Sequence, residues 1–221
     1  MAAGTTSSLL ADAEEILAQA GKEKLPEKRW ALRNRAAALA IGCAVPARPG
    51  DVIRYHVFGA GLYYEPNRGG YRFDYVPNKT SQITSAPLYI QMEPHWNRFI
   101  DATILQDQDP RYLDELRANA IADKRPLYIN YDGTPCVYGW YSRAWAAVTG
   151  TGGHIARTLI YDEFSDMGEF GIQYASAINH HVSEKIRAKY RSSASIKKSY
   201  ARAHEIMVGR VGSGDDISDL I

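Results

Sequence analysis

The stretch Val45-Pro46-Ala47-Arg48-Pro49-Gly50 constrains this chain more than any other. Residues from about Glu27 to Ala44 read as one helix, and two prolines in four residues stop it. Proline has no N–H to donate, and its ring pushes the preceding residue out of the right-handed helical region. Arg48 is therefore predicted at a helix break, with Pro49 opening the next helix. Asp51, three residues further on, can orient the Arg48 guanidinium. Taken alone, this is also how an ordinary surface ion pair looks.

Around that break the chain organises itself by hydrophobic period. Residues 8–20 recur in Leu9, Leu10, Ile16 and Leu17 as an amphipathic helix. Residues 52–90 read as strands, with Tyr71, Phe73 and Tyr75 alternating against Arg72, Asp74 and Val76 behind an Asn-Arg-Gly-Gly turn. Lys79 then falls at or just beyond a hairpin tip. Helices are predicted over 92–105, 110–122 and 137–149, with a strand-turn at PLYINYDGTP (126–135) between the last two. After the glycine turn 150–153, a helix starts near His154, and others cover 169–179, 184–192 and 194–208. The fold class is α+β, mainly α, with one small antiparallel sheet. Residues 1–28 are expected to form an N-terminal helix or linker, 29–200 the main domain and 201–221 a C-terminal tail.

The 221 residues, 45% of them hydrophobic, suffice for a real core. No run approaches the roughly 20 apolar residues of a membrane span, and the N-terminus has no basic-then-apolar signal pattern. Cys43 and Cys136 show no CxxC spacing, which fits a reduced, cytoplasmic compartment. The net charge is +1 but unevenly spread: residues 181–210 carry eight Lys/Arg against Glu184 and Glu205, while 212–221 carry three aspartates and no base. Such a local excess suits a polyanion, although a solvated helix face produces the same pattern.

Several small motifs bear on chemistry. His154-Ile-Ala-Arg157 sets an imidazole and a guanidinium at i and i+3, neighbours on one helix face at a helix start that favours an anion. In HVSEKIRAKY (181–190), His181 and Tyr190 lie nine residues apart, on opposite faces of any unbroken helix. Ser183 ahead of Glu184 reads as an N-cap. That would leave His181 in a turn and Tyr190 on the second turn of a basic helix. AVTGTGGHI (147–155) superficially suggests a nucleotide-binding glycine turn, but Ile155 stands at the final glycine's place and the segment before it reads as helix. AHEIMV (203–208) lacks the second histidine of a zinc motif, and no other His/Cys grouping has metal spacing. Neither a Gly-Lys-Ser/Thr loop nor a GxSxG elbow occurs.

In chain order the singled-out residues are Arg48, Lys79, His154-x-x-Arg157, His181 and Tyr190. This order and spacing resemble the catalytic domain of the tyrosine recombinases, the phage integrase family, over about residues 30–200. The resemblance implies a tyrosine-recombinase-type fold and a site-specific DNA recombinase or integrase. Tyr190 would attack a DNA phosphodiester to give a 3′-phosphotyrosyl intermediate. Arg48 and Arg157 would hold the non-bridging oxygens, with His181 donating a further hydrogen bond. Lys79 would protonate the 5′ leaving oxygen and His154 would assist Tyr190 as base. Double-stranded DNA is the implied partner, with no cofactor, no metal and no ATP. Lys185, Arg187, Lys189, Arg191, Lys197 and Lys198 would contact its backbone. The tail at 201–221 would join protomers into a homotetramer on DNA. The same chemistry would serve a type IB topoisomerase, and a non-cleaving DNA-binding derivative is the third alternative.

The sequence departs from the family pattern in places. Asp51 replaces the more usual glutamate, and Asn179-His180-His181 replaces Leu-Gly-His. Spacing selects His181 over His180, and Tyr190 over Tyr200. Residues 1–28 offer one helix at most where the family carries a helical core-binding domain, which puts site recognition in doubt rather than the chemistry.

Overall fold

The computed structural model describes residues 5–78 and 87–179. Helix α1 (Thr6–Lys22) is started by the Thr5 hydroxyl, which accepts from the Ser8 amide at 3.1 Å. It buries Leu9, Ala13 and Ala20, one stripe at helical spacing. Helix α2 (Pro26–Ala44) has proline at its first position, where no N–H is needed. Its second half, Ala36 to Cys43, is buried without interruption. A helix that is apolar all round belongs in the interior, and α1, α4, α6 and α7 surround this one. Gly42 is required where α6 crosses it, since a Cβ there would lie 2.4 Å from Cζ2 of Trp145. Burial pushes the Cys43 thiol up to about 12, so it behaves as a small apolar side chain.

Helix α3 (Pro49–Tyr55) leaves α2 at 110°, with Arg48 as its extended N-cap, as the prolines predict. Residues 52–55 therefore belong to α3 and not to the strand region read from the sequence. The sheet follows as β1 (Leu62–Glu65), β2 (Gly70–Tyr75) and β3 (Leu88–Gln91), antiparallel in that order. Its register pairs Tyr63 with Arg72 and Phe73 with Ile90. The alternation in β2 is realised: Tyr71, Phe73 and Tyr75 are buried.

The segment predicted as helix over 92–105 begins with a single 3-10 turn at Pro94–Trp96 and becomes α4 (Asn97–Leu105). Next come α5 (Leu113–Ala122), α6 (Tyr138–Thr149), α7 (Ile155–Phe164) and α8 (Gly168–Ile178). PLYINYDGTP forms only isolated bridges, Val57 to Pro126 and Ile129 to Pro135. The carbonyl of Ile129 accepts instead from Trp30 Nε1 and Asn34 Nδ2, both at 2.7 Å. Side chains of α2 thus stand where a partner strand would be.

The main core joins α1, α2, the sheet, α4 and α6, and a smaller cluster of Ile160, Tyr161, Ile172 and Ala175 lies between α7 and α8. Leu9 and Ala13 belong to the main core, and the expected boundary after residue 28 falls inside α2. No single helix among the described residues is long and apolar enough to cross a membrane.

Candidate functional site

Arg48 occupies the bend for the reason its sequence gives: a pre-proline residue takes φ −67° and ψ 143°, which turns its side chain off the helix axis. Its Nη1 lies 3.9 Å from Oδ2 of Asp51. The other Asp51 oxygen accepts the backbone N–H of Asn78 at 3.0 Å. One buried carboxylate therefore links the helix break to the chain leaving β2, one residue before Lys79.

These groups line a pocket of about 260 Å³, together with Pro49, Gly50, Arg54, Tyr138 and His154. His154 comes from more than a hundred residues further along the chain, and the turn at 150–153 delivers it there. Gly150 adopts φ 73° and closes α6 in the left-handed conformation. Gly153 is pressed on Tyr141, where a Cβ would stand 2.7 Å from Cε1. Both glycines are thus explained by chain geometry, and the segment before them is helix α6, not the strand a dinucleotide site needs. His154 then caps α7 with its ring exposed toward the pocket.

Arg157 departs from the expected picture. Its spacing from His154 predicts neighbours on one face, yet His154 is exposed and Arg157 is buried and does not line the pocket. Two main-chain carbonyls draw the guanidinium inward. Nη1 donates to Pro46 O at 2.7 Å and Nη2 donates to Asn179 O. Asn179 answers from its side chain, Nδ2 donating to Arg157 O at 3.1 Å. Asn179 is completely buried at the end of α8, two residues before His181. Arg157 thereby ties the Arg48 bend to the segment that leads into His181.

Lys79, His181 and Tyr190 lie outside the described residues. So do the basic residues Lys185, Arg187, Lys189, Arg191, Lys197 and Lys198, the helices expected over 184–192 and 194–208, and the tail at 201–221. Of the six expected catalytic residues, two, Arg48 and His154, share the pocket. Arg157 sits beneath the bend.

Arg54, Asn78 and Tyr138 escaped the reading of the sequence, and Asn179 entered it only as a departure from Leu-Gly-His. Arg54 lies three residues after Asp51, but the sequence reads 52–90 as strands, which hides that helical spacing as a signal. Tyr138 and Asn179 had none, because their placement depends on how α6 and α8 pack.

Comparison of the chain with protein-family models, curated proteins and solved structures finds no match. Its function therefore rests on the side chains themselves.

Proposed function

We propose that this chain cleaves and rejoins DNA as a recombinase or integrase of tyrosine-recombinase type. One observation carries the reading: Arg48 and Asp51, Asn78, and His154, from three segments far apart in sequence, meet at one pocket, and Asn78 directly precedes Lys79. In the reaction, Tyr190 Oη attacks phosphorus, the P–O5′ bond breaks, and a 3′-phosphotyrosyl ester and a 5′-hydroxyl result. His154 takes the phenol proton and Lys79 gives a proton to the leaving oxygen. A phenol of pKa near 10 needs that assistance at neutral pH. Arg48 holds one non-bridging oxygen. Arg157 reaches the phosphate by exchanging a carbonyl for a phosphate oxygen, a trade favoured because a charged acceptor makes the stronger bond. His181 adds a donor as charge builds on the phosphorane. Attack by another 5′-hydroxyl reverses the step and exchanges strands.

The test is covalent trapping on nicked duplexes of candidate attachment sequence, with the modified residue mapped by mass spectrometry. The wild-type adduct is expected on Tyr190. Tyr190→Phe is expected to bind duplex normally and form no adduct; an adduct of normal yield in that variant would remove Tyr190 as nucleophile.

A further inference from the structure

We infer that Arg54 is a DNA-backbone contact of this pocket, taking the phosphate next to the one held at Arg48. The inference rests on the function proposed above and adds a residue to it.

Arg48 caps α3 and Arg54 lies in its last turn, both lining the same pocket. Six residues of helix advance about 9 Å, a separation that two long side chains can match to adjoining phosphates of one strand. Asp51 lies three residues from each arginine. Its oxygens are engaged, one accepting from Asn78 N at 3.0 Å and the other lying 3.9 Å from Arg48. Arg54 makes no ion pair and no side-chain hydrogen bond among the described residues, and it is exposed. The pocket thus sets two guanidinium groups against one carboxylate. An exposed arginine is usually paired at random or simply hydrated. This one has no partner among the described residues and lies beside a carboxylate that already has its own, on the wall of a pocket with a second arginine and an imidazole. A guanidinium in that position suits a second phosphate, and a lone small anion would leave it idle.

Salt-dependent binding of a short random-sequence duplex tests this without knowledge of the target site. Each phosphate contact contributes about 0.9 to the slope of log affinity against log salt. Arg54→Gln is expected to lower the slope by about that amount, so that its deficit against wild type shrinks about 3.5-fold for each fourfold rise in salt. Arg54→Lys should retain the slope, since the charge remains, and both variants should melt with the wild type. A wild type that binds with a clear salt slope and an Arg54→Gln variant that keeps the same slope would overturn the inference and leave the proposed function standing. A wild type that shows no salt-dependent duplex binding and forms no adduct would sink the proposed function, and this inference with it.

Discussion

Two arginines of this chain are equally shielded from solvent, Arg117 at 9% and Arg157 at 8% exposure, and they are held in opposite ways. Arg117, on α5, meets charge with charge. Nη2 lies 2.8 Å from Asp101 and Nη1 2.8 Å from Asp114, Nε donates to Tyr71 Oη at 3.0 Å, and the Tyr64 ring centroid is 4.0 Å from the guanidinium carbon. Tyr71 Oη also donates to Asp101, which locks β2 to α4 and α5. Arg157 instead donates to the carbonyls of Pro46 and Asn179, which are dipoles. Each of these carbonyls orients the guanidinium while carrying no formal charge of its own. An arginine between carboxylates is spent on cohesion, whereas a bond to a neutral carbonyl is one that an arriving anion can replace with a stronger one.

The largest expected effect breaks this contrast open. Arg117→Met strands Asp101 in the interior without its counter-charge, a loss of about 3–5 kcal/mol in urea unfolding. Strand cleavage per folded molecule should not change. Arg157→Met leaves two neutral carbonyls without donors, at about 1–3 kcal/mol for each. Its cleavage should fall by about 10²–10³, the usual loss when a transition-state donor is removed. Equal cleavage in wild type and Arg157→Met, compared at equal folded fraction, would make Arg157 a second Arg117.

The same division explains what could be read in the sequence. Local chemistry was legible: proline set the break at Arg48 and the start of α3, and period-two alternation set β2 with Tyr71, Phe73 and Tyr75 inward. Non-local partners were not. PLYINYDGTP has strand composition, but Trp30 and Asn34 satisfy Ile129 from a helix, so no ladder forms. HIAR spacing gave the helix face of Arg157 but not its depth, because the acceptors are backbone atoms of distant segments. Arg48, Asp51 and His154 announced themselves as residue types in an order. Arg54 did not, since only the packed pocket shows that its neighbouring carboxylate is already engaged.

Helix α3 repeats the contrast within eight residues, and pH is the means to sharpen it. Arg48 at its start is charged and faces the pocket, while His56 at its end is fully buried. The His56 ring lies 4.6 Å from that of Phe73, its Nε2 is 3.4 Å from Tyr75 Oη, and Nδ1 has no partner among the described residues. Burial pushes its pKa from 6.5 down to about 3. Above pH 6.5 the ring is neutral in both folded and unfolded chains and adds no pH dependence. Below it the unfolded chain binds a proton that the folded chain refuses, so stability falls by about 1.4 kcal/mol per pH unit until about pH 3. His56→Phe should flatten the urea-unfolding profile by that slope across the same window. Parallel profiles for wild type and variant would mean that His56 is protonated in place, and that the core between α3 and β2 tolerates charge after all.

The smallest effect tests the clasp itself. Asn179 is fully buried and bonded to Arg157 twice, once through its carbonyl and once through its amide side chain at 3.1 Å. Asn179→Ala removes only the side-chain bond, because any residue at this position keeps the main-chain carbonyl that Arg157 holds. A neutral hydrogen bond of this kind contributes about 1 kcal/mol net. The side-chain oxygen Oδ1 has no partner among the described residues, so deleting the amide also removes a buried group that was costing stability. The measured loss should therefore be about 1 kcal/mol or less, well below that of Arg117→Met. A loss as large as that of Arg117→Met would show that the amide is what fixes the guanidinium. The contrast between the carboxylate bonds of Arg117 and the carbonyl bonds of Arg157 would then disappear.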